Sequence, residues 1–332
     1  MYKVYPDDFD FVTYEDKYKK AFEIRYKKDN SINKHDIKLL ALYTEFSNFL
    51  KLNETIKIKS KVSCFPNKFE DLLVLKPEQI CEIYLQFTKL TKQEQDNINN
   101  IKFEYDDFKS RIFSFFLRNM DKLNFNTCFY CDMTFINYYK ALDKNKKLVT
   151  KKQFDLDHFI PKQHCKIFAL SLYNLVPSCS NCNSGSKGSH FYYTCSTATE
   201  LATTFPTSTT YDWINNMKFK IFPRNYDAIA DLIYSENYQN FGIELDPSNN
   251  LFEEESKTFE IIPKYEFFMK QFVNQIDKYR MYDKNFFNLI TQKLPIGTAS
   301  FLYESIFNNE LRDSNQLPFK KIYKDIKEIF EN

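Results

Sequence analysis

Two Cys-x-x-Cys pairs, Cys128/Cys131 and Cys179/Cys182, constrain this chain more than any other feature. Each pair turns the backbone so that two thiolates can face one tetrahedral ion, and two pairs complete a set of four cysteine ligands. A closed set leaves no position open for chemistry, so the expected metal is a structural Zn²⁺. The pairs stand 47 residues apart (132 to 178), beyond the gap of a compact zinc ribbon. The fold must therefore bring both pairs together around an inserted segment. A redox role needs only one such pair. Cys64, Cys81, Cys165 and Cys195 have no partner at that spacing and are expected as buried free thiols.

The insert carries the second signal. It contains D-L-D-H-F-I-P-K at 155–162 and runs on into S-L-Y-N-L-V-P-S-C-S-N-C-N-S-G-S-K-G at 171–188. A strand over 148–156 would deliver Asp157 and His158 at its end, with 173–177 as the return of a hairpin. A short helix from Cys182 to Lys187 would follow. On that frame Asp157 and Asn183 can point oxygens at one hard cation, a donor set that suits Mg²⁺ with its retained waters. His158 would project from the other strand face, where an imidazole can serve as general base near neutral pH.

Composition limits the alternatives. Of 332 residues, 43% are hydrophobic and 18% aromatic, which excludes a disordered chain. The net charge of +2 gives a nucleic-acid partner no overall support, so only a local basic patch could supply it. Between 140 and 166, eight lysines stand against three aspartates. Lys151, Lys152, Lys162 and Lys187 are the candidate phosphate contacts. Gly185 and Gly188 sit where backbone would approach phosphate or simply turn. His164 and His190 are expected at the surface. No apolar run reaches a membrane span, and Met1–Asp10 lacks a signal pattern, so a cytoplasmic protein without disulfides is expected.

The overall expectation is an α+β chain in three parts. Residues 1–102 form a helical region, with helices over 14–28 and 35–51 and from Pro77 through Leu90. A strand or loop covers 57–65, and 91–100 is a polar break. Residues 103–195 hold the metal module behind an aromatic helix from Tyr105 to Leu123. Residues 196–332 begin with an exposed loop (194–211). Strands follow at Met217–Phe222, Phe241–Leu245 and Thr258–Ile262 as a small antiparallel sheet, around a solvated turn at Glu253–Glu255. A helical stripe runs from Tyr265 to Tyr279, followed by helices at 283–294, 298–308 and 319–330.

The stretch 128–188 resembles an HNH endonuclease, the ββα-metal nuclease family, in its zinc-knuckle form. That resemblance implies Asp157 as metal ligand, His158 as general base and Asn174 as the residue bracing the loop. It implies Asn183 as second ligand to Mg²⁺ or Mn²⁺, where many members carry histidine. The implied activity is hydrolysis of DNA phosphodiester bonds to 5′-phosphate and 3′-hydroxyl ends, with RNA as the other substrate. The C-terminal part, with L-P-F-K-K-I-Y-K-D-I at 317–326, resembles the tail of stand-alone bacterial HNH proteins. Several of these belong to anti-phage systems such as Septu, which implies an ATPase or other defence partner that licenses a silent nuclease. The competing expectation is a non-catalytic zinc module that binds nucleic acid or a protein.

Overall fold

The computed structural model describes residues 4–26, 32–123, 126–225, 234–247, 252–282 and 318–331, apart from 7, 34, 35, 192 and 194, with isolated positions at 286, 289 and 306. Helices combine there with two-stranded antiparallel sheets in an α+β architecture. The chain divides into two compact units. Among the described residues no helix is long and apolar enough to cross a membrane.

The first unit comprises residues 2–125 and 138–212, so the boundaries expected at 102/103 and 195/196 both fall inside it. Its helices are α1 (Phe11–Lys20), α2 (Ile37–Phe49), α3 (Asn53–Lys59), α4 (Phe69–Leu73), α5 (Pro77–Phe87), α6 (Lys92–Asn99) and α7 (Tyr105–Asn119). Leu39, Leu42, Phe46 and Phe49 line the buried side of α2 at the spacing that suggested it. Pro77 opens α5 at its first turn, where its missing N–H has no partner to lose. The supposed strand or loop at 57–65 is helical as far as Lys59, because Thr55 and Ile58 turn inward one helical step apart. The supposed break at 91–100 is α6. Thr91 and Glu94 cap it reciprocally, a Thr-x-x-Glu start signal legible in the residues.

Next come the hairpin β1 (Tyr138–Leu142) and β2 (Leu148–Lys152), then β3 (Asp155–His158) paired antiparallel with β4 (Leu175–Ser178). The expected single strand over 148–156 is thus two strands in two different sheets. A helical turn over Asn181–Lys187 follows β4, and α8 (Ala198–Thr203) ends the unit's regular structure. The segment expected as an exposed loop is folded in: Leu201, Ala202, Phe205 and Tyr211 are buried.

The N-terminal helices hold up the segment beneath the β3–β4 pair. Tyr18 donates its hydroxyl to the Leu170 carbonyl (2.9 Å), and Ser171 Oγ donates to the Leu72 carbonyl (2.8 Å). Thr207 Oγ1 caps the Tyr173 carbonyl at 2.5 Å, while the Tyr173 hydroxyl joins Glu15 and Lys76. Each bond satisfies a polar group that burial would otherwise strand. Phe115 meets Tyr18 edge-on (4.9 Å) and Tyr14 at a tilt (4.7 Å), filling the core between α1 and α7.

The second unit comprises residues 126–137 and those from Trp213 onward. After α9 (Trp213–Asn216), β5 (Met217–Pro223) pairs antiparallel with β6 (Phe241–Pro247), the two strands expected at 217–222 and 241–245. Among the described residues the helices α10 (Glu253–Thr258), α11 (Ile261–Glu266) and α12 (Met269–Met281) follow, and α13 (Lys320–Glu331) comes later. The strand expected at Thr258–Ile262 is the junction of α10 and α11, where Phe259 and Ile261 are both fully buried. The expected turn at Glu253–Glu255 is the first turn of α10, with Glu255 buried. The stripe from Tyr265 to Tyr279 divides between α11 and α12. Helices expected at 283–294 and 298–308 lie largely outside the described residues. In α13, Asp325 accepts the Phe219 N–H of β5 (2.8 Å) and an ammonium from Lys321 (2.5 Å).

Candidate active site and cysteine cluster

Cys128, Cys131, Cys179 and Cys182 are all buried, and their sulfurs lie within 4.8 Å of one another. Sulfurs on a tetrahedral ion with bonds of about 2.3 Å stand roughly 3.8 Å apart, so the set fits a metal such as zinc. Each knuckle is built by its own backbone. Asp132 takes φ 51° and donates its N–H to the Cys128 carbonyl (2.9 Å), while Thr127 Oγ1 donates to the Asp132 carboxylate (2.7 Å). Tyr130 stacks on Phe259 at 4.2 Å, and the Tyr265 hydroxyl donates to the Cys131 carbonyl (3.0 Å). At the second pair, the Asn183 N–H donates to the Cys179 carbonyl (3.0 Å).

Of the other cysteines, Cys81 and Cys165 are buried as expected, whereas Cys64 and Cys195 are only half-buried. Burial pushes the Cys195 thiol up to about 11 and, helped by Glu82, the Cys64 thiol up to about 12. Both remain protonated and poorly nucleophilic at neutral pH.

An open cleft of about 460 Å³ lies along β3, with Asp155, Asp157 and His158 on one wall, Tyr105 and Lys109 of α7 opposite, and Asn183 beside them. His158 is nearly buried. Its Nε2 lies 2.9 Å from the Ala169 carbonyl, which can only accept, so the neutral ring carries its proton on Nε2 and its lone pair on Nδ1. Tyr105 meets the imidazole edge-on at 4.7 Å. Burial holds the His158 pKa down at about 4, against the pull of the Ala169 carbonyl, so the ring is neutral at physiological pH.

Asn174 is fully buried and lies outside the cleft wall. Its Oδ1 accepts the Ile160 N–H (2.8 Å), and its Nδ2 donates to the carbonyls of Ile160 (3.1 Å) and Phe168 (3.2 Å). Ile160 and Phe168, in the segment after His158, are thereby tied to the residue that precedes β4. Gly188 closes the helical turn by donating its N–H to the Asn183 carbonyl (2.8 Å) at φ 55°, ψ −124°, a conformation that favours glycine. Gly185 has no such constraint.

Lys187 corrects an expectation. It is buried, not presented to phosphate: its ammonium donates to both oxygens of Asp157 (2.9 and 2.7 Å) and to the His158 carbonyl (2.6 Å). Burial lowers its pKa while the Asp157 carboxylate pulls the other way. Lys162 stands at the cleft rim, ion-paired with Asp106 (3.2 Å) and 5.5 Å over the Tyr105 ring. Lys152 lies at the hairpin base with its ammonium over Phe113 and on Asp155 (3.3 Å), whereas Lys151 is exposed opposite Tyr139. His164 and His190 are exposed.

Two cleft residues escaped sequence reasoning. Tyr105 belongs to an aromatic stripe that is otherwise core. Asp155 was legible, because a strand places residues two apart on one face and so puts Asp155 beside Asp157. Half-burial would raise the Asp155 pKa, but hydrogen bonds from Ser180, Lys152 and Asn183 hold it below the usual carboxylate value. Set against known protein families, curated proteins and solved structures, the chain matches none.

Proposed function

We propose that this protein is a divalent-cation-dependent endonuclease of the HNH type, with DNA as its substrate and a structural zinc on its four paired cysteines. The observation that carries the proposal is the surroundings of His158. An antiparallel strand pair followed by a helical turn gathers Asp157, His158 and Asn183 on one cleft, and the imidazole there is neutral with Nε2 committed to Ala169. Nδ1 is then the atom that takes a proton from a water attacking phosphorus in line. Tyr105 and the Ala169 carbonyl hold the ring in place, so little reorganisation accompanies the transfer.

Asp157 and Asn183 offer a carboxylate and an amide oxygen, a donor set that suits Mg²⁺ or Mn²⁺. A cation there would supply Lewis-acid stabilisation of charge on the phosphate and the departing 3′ oxygen. It would share the Asp157 carboxylate with Lys187, or displace it. Nucleic-acid contact falls to Lys162 and to the β1–β2 hairpin, where residues 138–152 hold six lysines and one aspartate. The Asp143 carboxylate is occupied by the N–H groups of Asn145 and Lys147, both at 2.8 Å. Lys152 is held by Asp155, and the other five hairpin lysines outweigh Asp143, so the hairpin presents net positive charge to a phosphate backbone.

The test is plasmid nicking by the purified chain with Mg²⁺ or Mn²⁺. His158→Ala is expected to abolish nicking with zinc content unchanged; undiminished cutting by that variant would end the proposal. A second reading rests on the closed Lys187–Asp157 pair, which satisfies the carboxylate without a metal ion and suits a zinc module that binds without cutting. Binding with no cleavage across metals and substrates would favour it. Activity that appears only with an added ATPase partner would assign the chain to a licensed, defence-type nuclease.

A further inference from the structure

A second basic site lies away from the cleft. A groove of about 540 Å³ runs between α1 and α7, lined by Lys17 and Lys20 of the first helix and Ser114 and Arg118 of the second. Arg25 and Arg111 close one end. Among the described residues no carboxylate lines it. Asp36 lies fully buried, where it receives the Arg25 backbone N–H (2.9 Å), the Arg25 side chain (3.3 Å) and the Arg111 guanidinium. Burial would raise the Asp36 pKa, but these partners hold it below the usual carboxylate range, so a fixed anion anchors both guanidiniums. Lys17, Lys20 and Arg118 form no ion pair to a described residue.

Cations drawn from two helices and a connecting segment repel one another, and a single internal carboxylate offsets only part of that cost. The last turn of α1 favours lysine through the helix dipole. That effect does not extend to Arg118, on another helix. The serine hydroxyls on the same face are further donors. We propose that this groove binds phosphate groups.

The position of α7 ranks the two sources of such groups. Asp106, Lys109 and Phe113 line the His158 cleft, while Ser110, Ser114 and Arg118 line the groove, so adjacent faces of one helix serve both. Lys109 to Arg118 is about 13 Å along the helix axis, roughly four base steps of duplex at about 3.4 Å each. A strand leaving the cleft along α7 reaches the groove within one substrate footprint; that source rests on the nuclease reading. A free nucleotide is the other source and is independent of it.

The experiment compares the native chain with its Lys17→Gln/Lys20→Gln/Arg118→Gln variant, substituted only at exposed positions, after zinc content and circular dichroism are matched. One arm follows a fluorescein-labelled 30-base-pair duplex by anisotropy, without divalent cation and over a range of salt. The other titrates ATP by calorimetry. If substrate backbone fills the groove, duplex affinity falls at least tenfold and the slope of log K against log salt shrinks by about 2.7, three contacts at about 0.9 each. If a nucleotide fills it, ATP affinity falls at least tenfold while duplex binding holds. Unchanged affinity for both probes, or no binding of either by the native chain, overturns the proposal. Cleavage is read in neither arm, so the His158→Ala outcome and this one fail separately.

Discussion

Lys187→Met tests whether Asp157 is a cation ligand. In the native protein the Lys187 ammonium lies within 2.9 Å of both Asp157 oxygens, with both side chains almost wholly buried. Removing one partner of a buried pair leaves an uncompensated charge and costs about 3–5 kcal/mol. That is a ceiling, because the stranded carboxyl can take up a proton instead. In a unit of this size it corresponds to roughly 6–20 °C in Tm. A cation that binds only the folded state returns stability, about 2.7 kcal/mol at a hundredfold excess over Kd. Mn²⁺ should therefore stabilise Lys187→Met more than the native protein, whose ammonium competes for the same oxygens. Scanning calorimetry is the assay, since two compact units need not melt together. Adding Asp157→Asn to the Lys187→Met background should remove the Mn²⁺ effect. Equal Mn²⁺ shifts with and without Asp157→Asn would refute the assignment of Asp157 as a ligand.

Asn174→Ala removes three buried hydrogen bonds and orphans the Ile160 N–H, with an expected loss of about 2–4 kcal/mol in urea unfolding. A loss below about 0.5 kcal/mol would show that the segment after His158 is held by other means. Cys179→Ser/Cys182→Ser should lower bound zinc from about one equivalent to none by elemental analysis, and full retention would reject the four-cysteine site. His158 has a folded pKa of about 4 against an ordinary 6.5. The unfolded chain therefore takes the proton first, and the stability this group contributes is present above 6.5 and is lost as pH falls through about 4. Nicking should accordingly hold level from pH 8 down to about 5, and a fall centred near the ordinary imidazole value would contradict the burial of the ring.

Much of the architecture was legible because its signals are local. The i, i+3, i+7 run of Leu39, Leu42 and Phe46 marks α2, and the alternation in 217–222 and 241–245 marks β5 and β6. The misread segments had polarity or shortness that composition alone reads as loop. Thr91–Asn99 is polar yet capped at its start, and 194–211 is rich in Thr and Ser whose hydroxyls bond inward. The strand run through 148–156 failed at Gln153–Phe154, where Phe154 turns into the core and the chain changes sheets. Spacing and side-chain chemistry named Asp157, His158 and Asn183, and the family resemblance added Asn174, but nothing in the spacing ties Lys187 to Asp157 or Tyr105 to His158.

By itself the sequence determined the longer amphipathic helices, the β5 and β6 strands, the two Cys-x-x-Cys pairs and the short list of polar residues capable of chemistry. These follow from interactions between residues two to four apart, which the order of residues states directly. Only the tertiary structure decided that the four sulfurs converge, that Ala169 commits Nε2 of His158, and that Lys187 lies buried on Asp157. It also set Asp36 beneath Arg111, 75 residues away, behind a basic groove that no local pattern announces. Such pairings depend on which buried polar groups find partners once the chain has closed its loops, and that choice is made by packing.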